Sequence, residues 1–346
     1  MAHTVPADLK HLPRTARAPL GGGPLAKSVR AALYSIADEL PPGRVTSAEL
    51  AERLGTSEEW IVSRTGVRER PMAGPDERLT DYAARVGAAA LSRAGVEPAE
   101  VDLVIVATMT QDELTPNTAP LVAHAIGAHR AGAYDVGAAC TAWLSGVSIA
   151  AAAIETGRCR WVLVIGADFI SRINNWEDKR TAPLFADGAG AAVFGPAGGE
   201  YGAVGPIVLG SDGSDVAQSI LARHSDRTLQ MDGPEVYRQA VARMAESALA
   251  AVQRAALTLD DIDLFVFHQA NVRITRAVGE RLGLDPDKVV DCIEKLGNSS
   301  AATLPLALAF AEREGRLQPG MRVLLGAFGA GFTFGGGVIE WGESRA

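Results

Sequence analysis

The sequence predicts an α/β protein in which one layered unit is used twice. Two observations carry that prediction. Ala- and Leu-rich stretches with helical spacing alternate along the chain with short β-branched runs, VDLVIVATM, WVLVIGAD, AAVFGP, IDLFVFHQ and RVLLGAFG. Such alternation builds helices packed on buried strands. The chain also matches itself: DYAARVGAAALSRAGVEPAEVDLVIVATM (81–109) parallels RMAESALAAVQRAALTLDDIDLFVFHQ (243–269), with Ile262 standing 161 positions after Val101. AIETGRCRWVLVIGAD (153–168) parallels AEREGRLQPGMRVLLGAF (311–328), with Val323 again 161 positions after Val162. Two pairs at one offset point to duplication.

Taken in order, residues 1–27 lack periodicity and end in a Gly-rich joint, so they read as an extension outside the core. Residues 28–200 form the first half and 201–346 the second. Each half runs helix, short acidic turn, strand, then a loop leading into a second helix and a second strand. In the first half that loop is DVGAAC, before TAWLSGVSIAAAAIETG; in the second it is GNSS, before ATLPLALAFAEREG. Both halves thus aim a loop-to-helix junction at a common centre. A chain of 346 residues can bury a large core and frame a deep pocket between such halves.

Composition narrows the function. Apolar residues make up 47% and charged residues 21%, and no uninterrupted apolar run is long enough to span a membrane. The start of the chain lacks the apolar core of a secretory signal. Three cysteines, Cys140, Cys159 and Cys292, are too few and too irregularly spaced for a disulfide framework or a zinc site, which fits a reducing cytoplasm. The net charge of −8 and the lack of a basic run interleaved with aromatics argue against nucleic acid. An acidic partner would need a local basic patch.

Three residues carry candidate chemistry. Cys140 precedes a helix, where unpaired N–H groups favour a thiolate and lower the pKa from about 8.5. His268 stands at the carboxyl end of the strand DLFVF, where open α/β sheets place their sites, and can act as donor or base. Asn298, in KLGNSSAA, is a turn or capping residue when taken alone. Beside His268 it would instead complete a pair of neutral donors on one carbonyl oxygen, an oxyanion hole. The segment GAFGAGFTFGGG (326–337) offers further backbone N–H groups. Taken singly, Cys140 also fits as a small core filler and His268 as a structural histidine.

The stretches EEWIVSRTGVRER, DVGAAC, FADGAGAAV, HQANVRI, GNSSAA and GAFGAGFTFG resemble the 3-oxoacyl-[acyl carrier protein] synthase III family of the thiolase superfamily, from about Val29 to Trp341. The resemblance implies a homodimer of duplicated, five-layered αβαβα subunits. It also implies a Cys140–His268–Asn298 triad. Cys140 would take an acyl group from acyl-CoA, and malonyl-acyl carrier protein would then lose CO2 and condense with it. The backbone N–H groups of Cys140 and Ala330 would hold the thioester oxygen. CoA and the carrier's phosphopantetheine would be substrate carriers, with no metal or redox cofactor. Trp60 and Arg64 match the family's adenine-stacking and phosphate-facing positions, and Lys179, Gly233, Tyr237, Asn271 and Phe328 match other channel positions. Arg273, with Arg238, Arg276 and Arg281, would form the basic patch that an acidic carrier needs.

Four departures from the family pattern bear on substrate. Thr141, Ala142 and Trp143 follow the nucleophile where a small pair and an aromatic are usual. We expect Trp143 to change the bulk beside the acyl chain, and Thr115, standing where short-primer members often have Phe, to admit a longer or branched group into the acyl pocket. Lys179 replaces an arginine unless Arg180 takes its place. ALYSIADELPPGRVTSAEL lacks the usual glycines. Together with the extension this suggests a specialised member, such as one priming polyketide or antibiotic synthesis. The competing readings are acyl transfer to a hydroxyl or amine without condensation, aldol chemistry like that of hydroxymethylglutaryl-CoA synthase, and an inactive scaffold subunit. The presence of Asn298 speaks against the first, no motif supplies the glutamate of the second, and the intact triad speaks against the third.

Overall fold

The computed structural model describes residues 29–198, 202–223 and 228–342. The expected extension, 1–27, and the boundary expected at 200/201 lie outside the described residues. The chain opens with β1 (Ala31–Glu39), followed by a small hairpin of β2 (Gly43–Thr46) and β3 (Glu69–Met72) that brackets α1 (Ser47–Leu54) and α2 (Glu58–Thr65). Thr46 and Glu49 form a reciprocal capping box on α1, and Gly55 ends it in left-handed backbone. Then come α3 (Leu79–Ala94), β4 (Leu103–Ala107), α4 (Thr118–Ala125), β5 (Gly132–Val136), α5 (Ala142–Glu155), β6 (Val162–Phe169) and β7 (Asp187–Pro196).

The second half follows the same plan. It holds β8 (Val204–Ser211), the short strands β9 (Ile220–Leu221) and β10 (Gln230–Met231), α6 (Gly233–Arg254), β11 (Leu264–Phe267) and α7 (Val272–Leu282). After these come α8 (Ile293–Leu296), α9 (Thr303–Arg313), β12 (Arg322–Gly329) and β13 (Thr333–Glu340).

One sheet runs β1-β7-β6-β4-β5 and the other β8-β13-β12-β11. Their registers repeat: Leu103 pairs with Val162 in parallel, and Leu264 pairs with Val323 in parallel. Both pairs are separated by the 161-residue offset read from the sequence. The counterpart of β5 shrinks to a single bridge, Phe265 to Val289.

Three large core clusters define the layers. A central cluster joins α5 and α9 to one face of each sheet, through residues such as Ile105, Val164, Val266 and Leu325. The other face of the first sheet, including Val104 and Ile165, packs on α3 and α4. The other face of the second sheet, including Phe265 and Leu324, packs on α6 and α7. Alternate strand residues thus feed different clusters, as a two-residue period requires when both sheet faces are covered. The result is the five-layered αβαβα arrangement of the thiolase fold. Among the described residues no helix is long and apolar enough to cross a membrane.

Candidate active site

Cys140 lies in a 3-10 turn, Ala139–Thr141, between β5 and α5. Ala139 has φ 46, left-handed backbone that costs about 1 kcal/mol or more for a residue with a Cβ. The second half holds the turn in place. Thr141 donates to the Thr333 hydroxyl at 2.9 Å, and that hydroxyl donates to the Ala138 carbonyl at 3.0 Å. Gly329 packs so closely that an added Cβ would lie 2.7 Å from the Cys140 nitrogen.

The thiol departs from expectation. Burial pushes Cys140 up to about 12; a hydrogen bond from Ser300 opposes this rise and the charge of Asp168 adds to it. Instead of the lowered value expected at a helix start, the resting residue is a protonated thiol, because desolvation of the sulfur outweighs the pull of the helix end.

His268 leaves the carboxyl end of β11 and is 1% exposed. Burial lowers its pKa to about 3, so the ring is neutral throughout the physiological range. Its Nδ1 lies 2.5 Å from Thr303 Oγ1. Asn298 follows α8 and is tied by its backbone to a neighbouring segment: its N–H donates to Leu184 O at 3.0 Å, and Ala186 N–H donates to Asn298 O at 2.9 Å. The side-chain Oδ1 accepts the Ser300 N–H at 2.9 Å. That fixes the amide orientation and leaves Nδ2 as the free donor.

Cys140, His268 and Asn298 line one cavity of about 630 Å3, together with Ala330 and Phe328. Its outer wall is built by Trp60, Arg64, Lys179, Gly233, Tyr237 and Asn271, with Arg238 and Arg273 at the rim. The Arg64 guanidinium sits 4.4 Å from the Trp60 ring centroid, and Asn271 Nδ2 donates to Arg64 O at 2.9 Å. Lys179 Nζ reaches Gly55 O at 3.4 Å, while neighbouring Arg180 is paired with Asp178. Arg238 is paired with Glu235. Arg273, Arg276 and Arg281 are exposed on α7 and have no ion pair among the described residues. Arg276 and Arg281 do not line the cavity.

Within one subunit neither expected acyl-pocket residue lines the cavity. Trp143 is 1% exposed in the central core, where its Nε1 donates to Val164 O at 3.3 Å. The helical turn after the nucleophile aims it inward, away from the cavity. Thr115 lies on an exposed loop and contributes nothing to the cavity wall of its own subunit. The apolar wall is formed instead by Leu184, Phe185, Ile220 and Met231, which belong to a separate small cluster with Ile170 and Leu229.

Two buried ionisable side chains near the site, Asp168 and Arg70, are not singled out in the sequence, although Arg70 ends the stretch EEWIVSRTGVRER. Asp168, at the end of β6, accepts from Thr108 Oγ1 (3.1 Å), Met109 N (2.9 Å), Thr110 Oγ1 (2.9 Å) and Ala301 N (3.1 Å). Arg70, wholly buried, donates to Pro183 O at 3.1 and 2.7 Å, to Val45 O at 3.2 Å and to Ser47 Oγ at 3.0 Å. It pins the segment that pairs with Asn298. Burial lowers its pKa to about 10, so it keeps its charge at neutral pH.

Known proteins resemble this chain closely. A family model described as 3-oxoacyl-[acyl-carrier-protein (ACP)] synthase III matches residues 134–213, and the model of that family's C-terminal part matches residues 252–341. The beta-ketoacyl-[acyl-carrier-protein] synthase III of Symbiobacterium thermophilum is 42% identical over 317 residues, covering 88% of this chain and 96% of its own. The crystal structure of 3-oxoacyl-(acyl carrier protein) synthase III from Pseudomonas aeruginosa PAO1 superposes with a TM-score of 0.87 at 37% identity, covering 91% of this chain and 99% of that one. The priming beta-ketosynthase of the R1128 polyketide pathway superposes with a TM-score of 0.88 at 36% identity, covering 94% and 100%. Fold and relatives together define a condensing acyltransferase of the thiolase type. Within that class the chain belongs to the 3-oxoacyl-[acyl-carrier-protein] synthase III family, which initiates fatty acid or polyketide synthesis.

Proposed function

We propose that Cys140 is the nucleophile and that His268 and Asn298 serve the decarboxylation. The thiol of Cys140 attacks the carbonyl carbon of an acyl-CoA, the C–S bond to CoA breaks, and the thiol proton leaves with CoA. The backbone N–H groups of Cys140 and Ala330 hold the oxyanion. Malonyl-acyl carrier protein then loses CO2, and the enolate oxygen is held by His268 and the free Asn298 Nδ2. The enolate carbon attacks the Cys140 thioester, releasing a 3-oxoacyl-carrier product and a thiolate that takes up one proton.

The observation that carries this reading is the Asn298 amide. Its oxygen is occupied by the Ser300 N–H, so it offers a donor in the cavity that also holds Cys140. Simple acyl transfer has no use for it.

The channel wall of Trp60, Arg64, Lys179, Gly233, Tyr237, Asn271 and Phe328 is the CoA path. Arg273, Arg276 and Arg281, free of ion pairs among the described residues, are better placed than paired Arg238 to receive an acidic carrier. The subunit works as a cytoplasmic homodimer of two duplicated halves, a reading supported by β5, whose outer edge has no partner strand among the described residues.

Intact-mass analysis with a panel of acyl-CoAs, followed by malonyl-acyl carrier protein, tests the reading. The expected result is an adduct absent from Cys140→Ala, then CO2 and a 3-oxoacyl product. An adduct without CO2 release would favour acyl transfer to another acceptor.

A further inference from the structure

We infer that Thr303 is a positioning residue that donates its hydroxyl proton to His268 Nδ1 and so selects the ring form carrying N–H on Nε2, facing the cavity. The inference rests on the decarboxylative reading above and deepens it.

A neutral imidazole has one N–H, and which nitrogen bears it is set by the partner of the other. Thr303 Oγ1 lies 2.5 Å from Nδ1, so one proton must occupy that line. It belongs either to the ring or to the hydroxyl. Among the described residues the other acceptor within reach of the hydroxyl is Ser300 O at 3.0 Å, farther than Nδ1, and that carbonyl keeps the backbone N–H of Thr303 when the hydroxyl turns to the ring. Nδ1 has no other polar neighbour: the backbone of His268 is spent on Gly326 O and on the Ala270 N–H, and Gln269 is committed to Phe267 O, Val290 O and the Cys292 N–H. Donation from Thr303 to Nδ1 uses the shorter of the two contacts and leaves no buried group at the ring unsatisfied. It also leaves on Nε2 the donor that an enolate oxygen requires beside Asn298 Nδ2. The opposite arrangement presents a lone pair to that oxygen.

Thr303 is 2% exposed and follows the Ser300–Ala302 turn, whose Ala301 N–H is held by Asp168 at 3.1 Å. The hydroxyl is thus carried on a turn braced from the first half. Valine has the same shape without the proton, and serine keeps the proton.

The test uses the full chain labelled with 15N-histidine, with His268→Gln to assign the ring. NMR of the wild type should show a protonated Nε2 and a bare Nδ1. Thr303→Val should abolish that signature and slow CO2 release from malonyl-acyl carrier protein on the order of a hundredfold, with acylation of Cys140 kept near the wild-type rate and Thr303→Ser restoring both. A protonated Nδ1 in the wild type, or unchanged CO2 release by Thr303→Val, would overturn the inference. If the wild type shows the Nε2 form yet releases no CO2, the decarboxylative reading fails and the ring assignment stands.

Discussion

Asp168 Oδ2 accepts the backbone N–H of Ala301 at 3.1 Å, joining the end of β6 in one half to the turn that precedes α9 in the other. Asp168 has no cationic partner among the described residues and is satisfied by neutral donors alone. The Ser300 hydroxyl, which donates to Met109 Sδ at 3.8 Å, lies between this carboxyl and the Cys140 thiol and lowers the pKa of each. Burial raises the pKa of this carboxyl while the donors around it oppose the rise, and any charge it carries raises the Cys140 pKa in turn.

That arrangement gives two substitutions opposite effects on the thiol. Asp168→Asn removes a charge that raises the Cys140 pKa, and Ser300→Ala removes a hydrogen bond that lowers it. Below the thiol pKa, alkylation follows the thiolate fraction. Iodoacetamide should therefore modify Cys140 faster in Asp168→Asn and slower in Ser300→Ala at one fixed pH. Equal rates would show that neither group acts on the sulfur. Asp168→Asn should also lower the denaturation midpoint, because the buried donors around it lose an acceptor at about 1–3 kcal/mol.

Gly329 is the second constraint on the nucleophile. A Cβ there would meet the Cys140 nitrogen at 2.7 Å and the Ala139 Cβ at 3.3 Å, and neither is a flexible side-chain end. Gly329→Ala should displace the turn and slow Cys140 acylation on the order of tenfold to a hundredfold. Circular dichroism should remain that of the wild type. Unchanged acylation would mean that the turn shifts without consequence.

Arg70 supports the other catalytic element. Arg70→Met keeps the bulk but strips Pro183 O, Val45 O and Ser47 Oγ of their donors, at a cost of about 2–4 kcal/mol. Because Pro183 leads into the segment bound to Asn298, CO2 release should fall more than acyl loading does. A parallel fall in both would place the effect in overall stability alone.

The sequence carried the architecture well, because the duplication is written in strand positions: Leu103 and Leu264 keep the 161-residue spacing that Val162 and Val323 also keep. A shared register needs matching hydrophobic runs, and such runs are visible in one chain. Trp60, Arg64, Asn271 and Phe328 of the cavity wall, like the three catalytic candidates, could be picked out because each sits in a short, distinctive stretch of sequence. Trp143 was misplaced because a residue's distance along the chain from Cys140 does not say which side of a helix it occupies. The thiol pKa was misread for a related reason: a helix start is a local feature, whereas desolvation depends on Ser300, Asp168 and β13 arriving from elsewhere. Neither Arg70, at the end of EEWIVSRTGVRER, nor Asp168 was read as a site residue, since only tertiary packing turns an ordinary Arg or Asp into a buried clamp.

Arg273 offers a separable test of carrier binding. It is exposed, lies 5.9 Å from the Tyr237 ring centroid and has no ion pair among the described residues. Arg273→Glu should lower kcat/KM for malonyl-acyl carrier protein by about tenfold or more, with a weakened salt dependence. Acyl-CoA loading should change little by comparison. A uniform loss on both substrates would assign Arg273 to the CoA channel instead.

His268 also links stability to pH. Burial holds its folded pKa at about 3 against an ordinary 6.5. Below pH 6.5 the unfolded chain takes up a proton that the native ring refuses, so the unfolded state binds more protons and stability rises with pH across this window. The contribution is fully present above pH 6.5 and is lost progressively as pH falls toward 3, at about 1 kcal/mol per pH unit. Urea denaturation of wild type and His268→Ala between pH 6.5 and 4.5 should therefore show a steeper decline for the wild type. Parallel lines would mean that the ring takes up its proton in the native state, and the neutral donor assigned to the cavity would go with them.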